Sequence, residues 1–389
     1  MKFNTLVFTL LIAVSSCQSQ PASLQEVTVG AARFEQYLPL LKNKNVGLVV
    51  NQTSMLGKVH LVDALLNRGV QIKKIFAPEH GFRGIADAGE HVENGVDVKT
   101  QLPIISLYGK HKKPTNEDLE DIDVVIFDIQ DVGVRFYTYI STMHYVMEAC
   151  AEQGKTLLVL DRPNPNGQYI AGPVLDLKFQ SFVGMHPIPI VHGLTVGELA
   201  QMINGEKWLT NGIQCDVKII EMGGYTHTTT YNLPIKPSPN LPNQRSILLY
   251  PSLCLLEPTI ISIGRGTPFP FQITGFPDSS YGKFSFTPIS IDGASKYPKY
   301  ENKKCFGKDL RELPIDTKFT IKWLLEYYRK NPSDSFFTSP SFFDKLVGNS
   351  TLRFQLKEGL SEQEIEKSWR AELEDYKNRS LKYRIYSYD

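Results

Sequence analysis

Four short segments of the chain gather the residue types that acid–base and anion-binding chemistry needs. They are Asn51-Gln52-Thr53-Ser54, Pro78-Glu79-His80-Gly81-Phe82-Arg83-Gly84, the stretch from Asp128 through Asp131 and Arg135 to Tyr137, and Asp161-Arg162-Pro163-Asn164-Pro165-Asn166-Gly167. Each begins where a run of apolar, largely β-branched residues ends. In an open parallel sheet those C-terminal strand ends lie along one edge, where such folds bind ligands. Carboxylates, arginines, amides and a histidine therefore converge from four loops onto one rim. That set suits hydrolysis of a sugar bond, in which one carboxylic acid protonates the leaving oxygen while a second anionic group stabilises the oxocarbenium-like centre or activates water.

Glu79 is the first choice for the acid. It sits in a tight Pro/Gly turn between Phe76 and Phe82, and desolvation by those rings would raise its pKa. Asp128, Asp131 and Asp161 compete for the second role. For each of them a helix cap or an ion pair with Arg135 or Arg162 is the competing structural reading. His80 and His192 suit binding a hydroxyl or tuning a carboxylate, although a lone histidine is more often structural. Arg83, Arg135 and Arg265 are candidates for a bidentate clamp on a substrate carboxylate, against internal ion pairing. Asn51 and Asn164 add amide donors to the rim, and Tyr137 with Phe136 and Tyr139 offers rings for sugar stacking or, equally, for core packing.

Several chemistries find no footing. No GxGxxG follows the first strand and there is no GxxxxGK[ST] loop, which speaks against dinucleotide and phosphate sites. HExxH and GxSxG are absent too. Glu79, His80, His91, Asp128 and Asp131 have the right atoms for a divalent metal, but no pair among them has i, i+4 spacing, so neither metal nor cofactor is expected. The 42 Lys and Arg nearly cancel the 41 Asp and Glu. That balance leaves no basic field for nucleic acid and favours a small substrate recognised locally.

The elements that must position these residues follow from periodicity. Residues 46–50, 72–77, 124–127 and 157–160 read as buried strands, with helices over 59–67 and 137–153 stopped by Gly69 and Gly154. A strand at 188–191, a helix at 199–203 behind a Thr195/Glu198 capping box, and a strand at 217–220 continue the pattern. The expected fold is α/β: a Rossmann-like, mostly parallel sheet over residues 25–235, then a smaller α+β domain over 236–389 that closes a cleft. The boundary is placed where prolines crowd around 234–242. In the second part, 252–256, 321–330 and a long segment capped by Ser361 and Glu364 read as helices, and 260–263 and 284–291 as strands. Cys150, Cys215, Cys254 and Cys305 have no CxxC spacing and read as buried thiols, with room for one disulfide in an oxidising compartment.

The first 17 residues read as a signal peptide: Lys2, an apolar run over 6–14, then Val14-Ser15-Ser16-Cys17. The run is well short of the roughly 20 residues that a membrane span needs. Val14-Ser15-Ser16-Cys17 resembles a lipobox, which would leave Cys17 lipidated and the mature protein exported to the periplasm, with a lipid anchor as its one membrane contact.

The motifs together resemble those of the NamZ-type exo-β-N-acetylmuramidases. The resemblance rests on the four segments above, on His192-Gly193-Leu194-Thr195-Val196-Gly197-Glu198-Leu199-Ala200, on Pro237-Ser238-Pro239-Asn240, and on Gly264-Arg265-Gly266-Thr267. It implies a Rossmann-like domain and a smaller partner domain with the site in the cleft between them. It further implies removal of β-linked N-acetylmuramic acid from the non-reducing end of peptidoglycan fragments, with Glu79 as the catalytic glutamate. One motif departs: Glu257-Pro258-Thr259-Ile260 stands where such proteins often read Glu-Gly-Thr-Asn, so an amide is missing there. Muramic acid carries a lactyl carboxylate that needs a cationic partner, which gives the three arginines their interest. The competing functions are a peptidoglycan-binding lipoprotein without catalysis and a metal-dependent amidase or deacetylase.

Overall fold

The computed structural model describes residues 26–79, 81–82, 94–312, 314 and 317–388. Its centre is a sheet of seven strands: β1 (Asn45–Val50), β2 (Gln71–Ala77), β3 (Gly95–Val96), β4 (Pro103–Ser106), β5 (Val124–Asp128), β6 (Thr156–Leu160) and, further along the chain, β9 (Asp216–Ile220). Their spatial order is β9-β6-β5-β1-β2-β4-β3, and all neighbours run parallel except β3 against β4. Leaving aside the antiparallel edge strand, this is the doubly wound order in which the chain reverses direction beside β1.

Although β2 and the edge strand β9 carry exposed lysines, the central strands β1, β5 and β6 are nearly continuous apolar runs, because helices and loops cover both faces of the sheet there. Their alternation sorts side chains cleanly. Val46, Leu48, Val50, Val124, Ile126, Leu158 and Leu160 enter one core with Tyr37 and Leu61. Val49, Val125, Phe127, Leu157 and Val159 enter the other, against Met143 and Met147 of α2 (Tyr139–Gln153) and Leu199 and Met202 of α3 (Val196–Gly205). The helix on the first face, α1 (Leu61–Leu66), is short. Gly154 ends α2 in the left-handed conformation with its N–H on the Cys150 and Ala151 carbonyls, and the Thr195/Glu198 capping box opens α3.

Pro189–Val191 (β8) does not extend the parallel sheet as its sequence suggests. It pairs antiparallel with β7 (Ala171–Val174) as a separate ribbon, since the intervening residues supply no crossover helix. The second part of the chain holds α4 (Gln244–Leu253), an antiparallel sheet of order β10-β12-β11 (Ile273–Phe276, Cys305–Asp309, Phe284–Phe286), α5 (Lys322–Lys330), α6 (Pro340–Val347), α7 (Thr351–Lys357) and α8 (Glu362–Ser380). The strand expected over 284–291 stops at Phe286, two residues before Pro288, which has no N–H to offer a ladder. Residues 260–263 form only an isolated bridge, Ser262 with Gly275 of strand β10, because the Tyr300 and Lys299 side chains take the carbonyls of Ile260 and Ile261.

One apolar core runs through both parts, and the C-terminal segment returns to the first. Tyr376 donates to the His192 carbonyl at 2.7 Å, and Tyr386 and Tyr388 reach Asp161 and Gly167. Among the described residues no helix is long and apolar enough to cross a membrane. The four cysteines at 150, 215, 254 and 305 are free thiols, all buried.

Candidate active site

Glu79 follows β2 in a turn closed by the Gly81 N–H on the Pro78 carbonyl, with Gly81 at φ 73°. Its two carboxylate oxygens each receive a hydroxyl: Tyr108, which follows β4, donates to Oε1 at 3.0 Å, and Thr138, at the start of α2, donates to Oε2 at 3.1 Å. Tyr139 donates to the Glu79 carbonyl at 3.3 Å, and the Asn51 and Gln52 side chains lie beside that tyrosine hydroxyl. Loops from three neighbouring strands and a helix start thus fix one half-buried carboxyl group. Burial first, and then the Glu79 charge, raises the Tyr108 and Tyr139 hydroxyls far above the usual tyrosine range, so both remain donors at any working pH. Phe82 packs edge-on against His60, 4.9 Å between ring centres, in the core on the first face.

Glu79 opens onto a cavity of about 160 Å³ whose opposite wall comes from the second part of the chain. Phe136, Tyr137, Thr138 and Tyr139 form the near side, while Asn240, Tyr250, Glu257, Arg265, Phe271 and Phe342 form the far side. The Pro237 carbonyl locks the two sides together by accepting from Tyr137 at 2.7 Å and from the Gln52 amide at 3.1 Å. Across the cavity Arg265 Nε donates to Glu257 Oε1 at 2.6 Å, and its guanidinium lies 5.2 Å from the centre of the Phe271 ring. No described residue takes a hydrogen bond from the two terminal nitrogens of Arg265. The cavity therefore presents a carboxyl group held by hydroxyls on one side and a carboxylate–guanidinium pair with spare donors on the other. That is equipment for proton transfer beside an anion receptor.

The other predicted residues fall elsewhere. Asp128 is fully buried in a two-point ion pair with Arg162, at 2.5 Å to Nε and 2.9 Å to Nη2. The pair lies at the C-terminal end of β5 next to β1, the place where the order of a doubly wound sheet reverses. Asp161 is sealed under the C-terminal segment, where Thr195, Tyr386 and the N–H groups of Arg162 and Gly197 all donate to it. Burial and the Glu198 charge push its carboxyl up, to about 7, while those donors pull the other way. Asn164 is pinned beneath the turn at Gly133, where a Cβ would lie 2.1 Å from its amide oxygen. Asp131 accepts from the Gly133 N–H at 2.6 Å, and His192 Nε2 stands 3.7 Å from it. The pair is buried and neither residue lines the cavity.

Arg135 is not a substrate clamp. Wholly buried, it donates to the carbonyls of Pro173, Ile188, Leu346 and Val347, joining β7 and β8 to the end of α6. Burial alone pushes its pKa down to about 9, which still leaves it charged at neutral pH. Removing it takes a charged donor from four buried carbonyls, of which, among the described residues, only that of Ile188 keeps a second partner, the Leu175 N–H, so Arg135→Ala is expected to lose about 3 kcal/mol or more of stability. Chemical denaturation checks this; a variant as stable as the parent would contradict it. His80, Arg83, His91 and Cys17 lie outside the described residues, and no group of three potential metal-binding side chains occurs among the described ones.

Sequence reasoning missed Tyr108 as a partner of Glu79, and Thr138 and, above all, Glu257 as cavity residues. Its available signal was the short spacing from Glu257 to the Gly264-Arg265-Gly266 turn, which lets the two side chains meet.

The N-terminal domain model of the exo-beta-N-acetylmuramidase NamZ matches residues 46–245, and the C-terminal domain model matches 248–386. The chain belongs to the NamZ family. It is 37% identical to the peptidoglycan beta-N-acetylmuramidase NamZ of Bacillus subtilis (strain 168), over 99% of this chain and 97% of that protein. Two crystal structures of DUF1343 family proteins from Bacteroides fragilis share the fold. One is 45% identical with a TM-score of 0.86, the other 30% identical with a TM-score of 0.79, and each comparison covers 93% of this chain and 99% of the other. The two NamZ domain matches meet between residues 245 and 248, inside α4, whose last turn supplies Tyr250 to the cavity.

Proposed function

We propose that this NamZ-family protein is an exo-acting glycoside hydrolase that removes β-linked N-acetylmuramic acid from the non-reducing end of peptidoglycan fragments. The observation that carries the reading is the cavity that Glu79 and the Glu257–Arg265 pair line together. A cavity of about 160 Å³ walled by both parts of the chain suits one terminal sugar rather than the middle of a glycan strand. In this mechanism Glu79 gives its proton to the glycosidic oxygen as the C1–O bond breaks. Water then adds to C1, and its proton returns to a carboxylate. Tyr108 and Thr138 hold the Glu79 carboxyl group in one orientation while it works.

Arg265 is the receptor for the lactyl carboxylate. Its Nε is committed to Glu257, which leaves the terminal nitrogens to meet the substrate. Tyr137 and Asn240 line the same cavity and suit contacts to the sugar ring and its acetamido group. The signal at residues 1–17 makes the protein an exported lipoprotein anchored through Cys17, facing the polymer it trims.

The disaccharide N-acetylmuramyl-β-1,4-N-acetylglucosamine tests the reading. The expected products are the two free sugars, and a longer muramyl-terminated glycan should lose its one terminal muramyl residue and no more, since a glucosaminyl residue is then exposed. Saturable binding without released sugar would instead identify a binding protein, and internal cleavage would contradict exo action.

A further inference from the structure

The segment that carries Glu257 is neither helix nor strand, yet side chains and backbone donors from elsewhere in the chain occupy every carbonyl from 257 to 261. Lys299 Nζ donates to Glu257 O at 3.0 Å, to Ile261 O at 3.2 Å and to Thr259 O between them. The Ser339 N–H reaches Pro258 O at 3.2 Å, and the Tyr300 hydroxyl reaches Ile260 O at 2.6 Å. An ammonium has three N–H bonds, and these three carbonyls use all of them. No neutral side chain could satisfy three converging acceptors this way. Tyr300 and Asn302 adopt left-handed backbone conformations, at φ 61° and 60°, in the turn that delivers Lys299. Charge-assisted bonds to three alternate carbonyls leave the 257–261 segment little freedom to shift.

We propose that Lys299 is a positioning residue for substrate binding: by holding the carbonyls of 257, 259 and 261 it sets Glu257, and through Glu257 the guanidinium of Arg265, where a substrate carboxylate is received. The inference rests on the muramidase reading for the identity of that carboxylate. Lys299 itself is absent from the cavity wall and acts only through Glu257. Burial holds its pKa down to about 8, with Glu257 pulling the other way, so the ammonium is present at neutral pH. Pro258 fits the same arrangement. The segment is held by its carbonyls, and the Pro258 ring, which has no N–H, removes nothing from that scheme.

A double-mutant cycle with 4-nitrophenyl β-N-acetylmuramide tests this. Lys299→Met is expected to raise KM on the order of 30-fold with kcat changed far less. In an Arg265→Ala background the same substitution is expected to change KM less than about threefold, because the group it positions is gone. Equal losses in both backgrounds, or an unchanged KM in the single variant, would overturn the proposal. If Lys299→Met does not fold, Lys299→Arg enters the same cycle, since no single nitrogen of a planar guanidinium carries the three N–H bonds that carbonyls converging on one nitrogen require. Wild-type turnover with an additive cycle sinks the positioning role alone, whereas a wild type inert toward the muramide sinks the muramidase reading and this inference with it.

Discussion

Glu79→Gln is expected to cut turnover of a terminal β-muramide by on the order of 10²- to 10⁴-fold, the usual contribution of a positioned acid or base. The substitution keeps the volume of the side chain, and one of the two hydroxyls of Tyr108 and Thr138 can still donate to the amide oxygen while the other turns to accept from the amide nitrogen, so the cavity should stay formed. The thermal unfolding midpoint should therefore match the parent, and KM should change little. That separation of kcat from stability distinguishes a working acid from a residue that merely ties β2 to α2. Full activity in the variant would remove Glu79 from the mechanism.

The second large effect belongs to Arg265. Arg265→Ala removes the cation and leaves Glu257 facing the cavity without its partner. A substrate carboxylate then meets a like charge where it had met a guanidinium. Loss of kcat/KM of about 10- to 100-fold is expected for muramyl substrates, in line with a charge-assisted hydrogen bond pair. A glucosaminyl analogue, which lacks the lactyl group, should be far less affected. Parallel losses on the two substrates would show that Arg265 supports the cavity wall rather than reading the lactyl carboxylate.

The two assignments differ in how far the amino-acid sequence could reach them. The strands carrying the site were legible because a parallel sheet buried on both faces demands uninterrupted apolar runs, and 46–50, 124–127 and 157–160 are such runs. Glu79 was legible for the same reason, as the carboxylate in a Pro/Gly turn directly after one of them. Which carboxylate faces it was not. Asp128, Asp131 and Asp161 all follow strands on the correct edge, but position along a strand says nothing about whether Arg162 or Tyr386 will reach back to claim the side chain. Arg135 misled in the same way, since four backbone carbonyls from distant segments take its two terminal nitrogens. Glu257 comes from the other part of the chain, and only the closing of the cleft brings it across from Glu79. Likewise the expected strand at 260–263 was a fair reading of an apolar run, and Lys299 and Tyr300 overrode it by taking the carbonyls that a ladder would use.

The most direct test of the proposed site is a crystal structure of the Glu79→Gln protein with uncleaved N-acetylmuramyl-β-1,4-N-acetylglucosamine. The muramyl ring should fill the cavity, with the glycosidic oxygen within hydrogen-bond distance of the side chain at position 79 and the lactyl carboxylate on the terminal nitrogens of Arg265. A disaccharide bound elsewhere, or bound here with its glycosidic oxygen turned away from position 79, would contradict it.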